Sequence, residues 1–79
     1  MQSKTNREPM PWNHVAPTGK MLRPQEVMTR VGLSRSQIYQ MISEGRFPPF
    51  VKLSERASAM PEVWLDAFVE HCVAVSTGH

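Results

Sequence analysis

Two short apolar-periodic segments, separated only by Gly32-Leu33-Ser34, constrain this chain more than any other feature. In the first, Pro24, Val27, Met28 and Val31 keep the i, i+3, i+4, i+7 spacing of a helix with one buried stripe. In the second, Ile38, Met41 and Ile42 supply the inward side at i, i+3, i+4. Pro24 suits a first helical position, where its missing N–H has no intrahelical partner to lose. Glu26 falls in the first turn, where the helix dipole favours a carboxylate. Gly32 ends this helix in the left-handed conformation, so it spans residues 24–31. Ser34 is placed to N-cap the next helix and Gly45 to stop it. Two helices joined by so short a turn predict a helix-turn-helix.

The outer side of the second helix opens with Ser34, Arg35 and Ser36 and continues through Gln37, Tyr39 and Gln40. A short helix that is polar and cationic at its start suits the DNA major groove and lacks the groups for catalysis. Residues 48–60 strengthen that reading. Pro48-Pro49 prevents continuation of the helix and launches an extended segment. Phe50-Val51-Lys52-Leu53 alternates as a strand would, Ser54-Glu55-Arg56 reads as a turn, and Ala57-Ser58-Ala59-Met60 as a return strand. The result is a hairpin wing with Lys52 and Arg56 near its tip.

Met21-Leu22-Arg23 is a candidate short strand, and Pro61 is expected to open a last helix over residues 61–75. Trp64, Leu65, Phe68, Val69, Cys72 and Val75 form a broad apolar face there, with Asp66 and Glu70 on the other side. Most of that face closes the core, with Cys72 as a small buried hydrophobe. Its surplus (Trp64, Val69, Val73) is left for a neighbouring copy or a partner protein. Residues 1–19, with Pro9, Pro11 and Pro17, read as a flexible arm in which Trp12 either folds back onto the domain, the favoured option, or touches a partner. Residues 76–79 read as a frayed end. The expected fold, over residues 20–75, is mainly α with a small β-hairpin: a winged helix-turn-helix.

Length and charge agree. Seventy-nine residues make one domain with a small core. Residues 20–56 carry seven Lys and Arg against three Glu, a net of +4. Residues 57–79 carry no Lys or Arg and three acids, a net of −3. A basic front and an acidic back orient a molecule on a polyanion. The lone Cys72 excludes an internal disulfide and any cysteine-based zinc site, and points to a reduced, cytoplasmic setting. His14, His71 and His79 are too scattered for a metal site. No apolar run is long enough to span a bilayer, and the first residues lack a signal-peptide core. With no Ser-His-Asp set, carboxylate pair or phosphate loop, the expectation is a protein that is not an enzyme and needs no cofactor or metal.

These motifs also carry a family resemblance. The run from Met21 to about Val75 resembles the AlpA family of phage and integrative-element regulators, and the related small excisionases of the MerR-like winged-helix superfamily. The resemblance rests on Leu22-Arg23, Glu26-Val27, Gly32-Leu33-Ser34-Arg35-Ser36, Ile38-Tyr39, Ile42, Glu44-Gly45-Arg46-Phe47-Pro48, Val51-Lys52-Leu53, Glu55-Arg56-Ala57 and Asp66-Ala67-Phe68. The chain departs from the family pattern at the wing, with Ser54 in place of glycine and Ser58-Ala59-Met60 in place of Val-Gly-Trp. The resemblance implies sequence-specific binding of double-stranded DNA in the service of a mobile element. It implies either regulation of transcription or bending of attachment-site DNA, so that a tyrosine integrase excises the element.

Ten residues are expected to meet DNA. Arg35 reaches a guanine edge or an adjacent phosphate. Ser34 divides between capping and phosphate, while Ser36, Gln37 and, more weakly, Gln40 face phosphate or base edges. Tyr39 lies partly in the core with its hydroxyl at the backbone. Lys52 and Arg56 meet phosphate or the flanking minor groove, Arg56 having a rival ion pair with Glu55 or Glu44. Arg23 and Arg46 contact the backbone, and Arg30 is a bystander. One such module buries only about 600–1,000 Å², which favours cooperative self-association on DNA or help from the integrase. A protein-interaction module that has kept the fold without using DNA is the competing class.

Overall fold

The computed structural model describes residues 10–77. Its elements are a short 3-10 helix at Pro11–His14, β1 (Met21–Leu22), α1 (Pro24–Val31), α2 (Arg35–Ser43), β2 (Val51–Ser54), β3 (Ala57–Pro61) and α3 (Glu62–Thr77). The two central helices form where the sequence places them, and their ends explain why. Gly32 takes φ 72° and its N–H donates to the Met28 carbonyl at 2.8 Å, closing α1. Ser34 Oγ accepts the Gln37 N–H at 3.1 Å while Gln37 Oε1 accepts the Ser34 N–H at 3.0 Å. This reciprocal capping box satisfies two otherwise orphaned donors at the start of α2. At its other end Gly45 (φ 77°) donates to the Ile42 carbonyl and Arg46 N–H to the Met41 carbonyl, the two bonds of a Schellman stop.

The sheet has three antiparallel strands in the order β1-β3-β2, so the wing hairpin continues into the strand that precedes α1. Val51 pairs with Ala59 and Lys52 with Ser58, but Ser54 pairs with Ala57. Leu53 is therefore the extra residue of a bulge, and it is exposed. The strict alternation expected for Phe50 to Leu53 fails at that residue.

The core gathers Leu22, Val27, Ile38, Phe47, Met60, Leu65 and Phe68 from across the fold. Phe47 comes just after the α2 stop and packs on Phe68 with ring centroids 4.5 Å apart.

Four expectations at the chain's edges need correction. Pro61 does not open the last helix. It closes β3 opposite Met21, and the helix starts at Glu62, whose N–H donates to the Lys20 carbonyl. The helix also runs to Thr77, two residues past the end expected at 75, and residues 78–79 lie outside the described residues. Cys72 is exposed rather than a small buried hydrophobe, and Val75 is exposed with it; Val69 and Val73, read as surplus to the core, are exposed, whereas Trp64, read with them, is half-buried against it. The core ends at Phe68, and α3 continues beyond it. Finally, the arm expected over residues 1–19 is partly folded. Trp12 is buried against Phe68 at 6.0 Å, and the Trp64 indole N–H donates to the Val15 carbonyl at 2.8 Å. Residues 1–9 of that arm lie outside the described residues.

Candidate nucleic-acid interface

Successive residues of α2 turn by about 100°. With Ile38 buried and Met41 and Ile42 half-buried against the core, Ser36, Gln40 and Ser43 point most directly outward. Arg35 and Tyr39 lie on one flank of that outward stripe and Gln37 on the other. All of these are exposed. Ser43 was not among the residues the sequence singled out, although the same helical step places it over Ser36 and Gln40.

The two flanks differ. On the first lies an open hollow lined by Arg23, Pro24 and Gln25 at the start of α1, Arg35 and Tyr39 of α2, and Glu55, Arg56 and Ser58 of the wing. Three cations from three separate elements meet there. The Tyr39 ring leans on Phe50 at 5.5 Å, which ties the flank of α2 to the base of the wing. Tyr39 is exposed rather than partly in the core, with its body against Phe50. On the second flank Gln37 has its side-chain carbonyl committed to the cap, and Ser34 its hydroxyl. Ser34 was expected to divide between cap and phosphate, and Gln37 to face DNA. The S-x-x-Q spacing was the signal that both would serve the cap.

Ion pairing separates the basic residues into two sets. Lys20 pairs with Glu26 at 3.4 Å, Arg30 with Glu62 at 2.9 Å and Arg46 with Glu44 at 2.6 Å. Among the described residues Arg23, Arg35, Lys52 and Arg56 make no such pair. Exposed pairs like these add little to stability, but they decide which cations are open to a polyanion. The rival pairing of Arg56 with Glu44 does not form. Glu44 instead binds Arg46, which lies beside it in the turn, and accepts from the Gln40 amide at 3.1 Å. The Arg46 hydrogen bonds, helped by Gln40, hold the Glu44 carboxyl below its ordinary range. Lys52 stands on β2 beyond the hollow, opposite Ser58.

One small domain thus combines a helix-turn-helix, a wing that returns beside it and a set of unpaired cations between them. A model of the family described as prophage CP4-57 regulatory protein (AlpA) matches residues 20–73. The chain belongs to the AlpA family. The match covers every element from β1 to most of α3, and so both central helices and the wing of this AlpA-family protein. It is also similar to an uncharacterized protein, ORF88, of Enterobacteria phage P4, with 46% identity over 50 residues. That stretch is 63% of this chain and 52% of the phage protein, so the match spans about half of its relative. No solved structure matches. Among the described residues, no helix of this AlpA-family protein is long and apolar enough to cross a membrane.

Proposed function

We propose that this AlpA-family protein binds double-stranded DNA sequence-specifically through α2 and the wing. In this reading it serves a prophage or integrative element as an excisionase that bends attachment-site DNA for a tyrosine integrase, and it also regulates transcription. The observation that carries the reading is the partition of the cations. Those on the start of α1, the start of α2 and the wing are open, while those elsewhere in the described fold are held by carboxylates. Arg35 and Ser36 enter the major groove with Tyr39 and Gln40 behind them, and Lys52 and Arg56 hold the flanking backbone.

The test is a gel shift on the element's attachment and promoter DNA, with Arg35→Ala as the variant. Binding is expected to weaken at least tenfold, and to fall with salt by about 0.9 log units in affinity per tenfold change in salt for each phosphate contact. Absence of wild-type binding to all of these DNAs at low salt would overturn the proposal. Excision frequency with and without the protein then separates the excisionase from a regulator without a recombination role. The family's description as a regulatory protein favours that second reading. The exposed Val69, Val73 and Val75 on α3 favour a contact with a second copy or the integrase, and are also what a pure protein-interaction module would use.

A further inference from the structure

The hollow between α1, α2 and the wing joins three guanidiniums that form no ion pair among the described residues. Arg23, Arg35 and Arg56 come from different elements, yet all three line one open depression. Tyr39 presents a phenol to the same space, and Glu55 is its single acid, leaving a formal charge of +2. Such a cluster is unfavourable by itself, because like charges repel, and nothing in the core requires it. Guanidiniums bind phosphate oxygens through paired N–H donors, and a tetrahedral anion presents oxygens in several directions at once. We infer that the hollow is a seat for one phosphate group, a single backbone phosphodiester of DNA shared by Arg23, Arg35 and Arg56. The inference rests on the DNA-binding reading and deepens it.

This assignment changes the division of labour on α2. Arg35 serves as an anchor on the flank, and base reading falls to the outward Ser36, joined by Gln40 and Ser43 once they exchange their bonds to Glu44 and to the Gln40 carbonyl for DNA. One phosphate gripped from three elements is a single point of attachment where α1, α2 and the wing converge. Three separate backbone contacts would spread the same arginines over three phosphates.

The two arrangements differ in salt dependence. Each neutralised phosphate contributes about 0.9 to the slope of log affinity against log salt. The slope is measured by fluorescence anisotropy for the full chain, the three single Arg→Ala variants and the triple variant. If the arginines share a phosphate, the triple variant loses about 0.9 from the slope, and the losses in affinity are strongly non-additive. A loss of about 2.7, with additive effects, means three phosphates and overturns the inference. An unchanged slope overturns it too.

A second arm needs no DNA. Inorganic phosphate is titrated at constant ionic strength while the arginine Nε–H signals are followed by NMR. The signals of Arg23, Arg35 and Arg56 are expected to move along one shared isotherm, with those of Arg30 and Arg46 still. Separate isotherms, or no movement, overturn the seat even where DNA binds. Movement together in a chain that binds no DNA overturns the DNA reading and leaves a site for free phosphate. Glu55→Gln, which removes the lone acid, is expected to tighten DNA binding about two- to fivefold. A weakening would count against the seat.

Discussion

The two ends of α2 treat positive charge in opposite ways. At the N-terminal end Arg35 comes directly after the capping serine and faces a hollow with Arg23 and Arg56. At the C-terminal end Arg46 completes a Schellman stop and is gripped by Glu44. Both arginines are exposed, and composition alone would count them equally. The difference is in their neighbours. Arg46 has a carboxylate two residues away in a tight turn, whereas Arg35 is flanked by serines. The C-terminal end also leads directly into Phe47, the anchor of the core. One end of the helix is left open to a ligand and the other is spent on holding the fold.

The largest expected effect is at the anchored end. Phe47→Ala removes a fully buried ring packed on Phe68, at a cost of about 3–5 kcal/mol. A domain of this size holds only about 4–12 kcal/mol, so thermal melting should show the variant largely unfolded or melting far lower. A near-native melt would mean that this end does not carry the fold. Next comes the contrast itself. Arg35→Ala should weaken DNA binding about 10- to 100-fold, since a charge-assisted bond is worth about 1.5–3 kcal/mol, and leave the melt in place. Arg46→Ala, measured in the same anisotropy assay, should stay within a few-fold of wild type. Equal losses would erase the distinction between the ends.

Ser34→Ala is intermediate. Losing the cap should cost about 0.5–2 kcal/mol, read as a lower melting temperature, with any loss of DNA affinity arising from a frayed α2 start. The smallest effect is expected for Glu44→Gln, which releases Arg46 and should raise DNA affinity slightly. The pH dependence has a definite sign. The Glu44 carboxyl is held below its ordinary value by Arg46, so its grip is complete above that ordinary value and is lost as pH falls through the lowered one. A carboxyl titration by NMR should place the Glu44 midpoint below that of an unperturbed glutamate. A midpoint at the ordinary value would dissolve the pairing that sets the two ends apart.

Much of this organisation was legible in the residues. The bounds of α1 and the start of α2 come from Pro24, Gly32 and Ser34 because caps and stops are local chemistry. The misreadings have non-local causes. Pro61 looked like a helix opener because its role as the partner of Met21 depends on a strand far back in the chain. Leu53 looked like part of a regular alternation because a bulge is invisible to a period-two pattern. Cys72 sat on an apolar face whose far half has no core beneath it. Arg23, Arg35 and Arg56 could each be proposed singly. That they line one hollow depends on the packing of α1, α2 and the wing.

The 3-10 segment at Pro11–His14 has a further consequence. Trp12 lies on Phe68, and Val15 accepts the Trp64 indole proton, so residues ahead of β1 cover α3. The stretch matched by the family model starts at residue 20 and leaves that cover out. The packed unit of this protein therefore reaches further toward the N-terminus than the stretch the family model matches. A chain cut back to that stretch would bare Phe68 and leave the Trp64 indole N–H without its acceptor, and is expected to melt lower than the full chain.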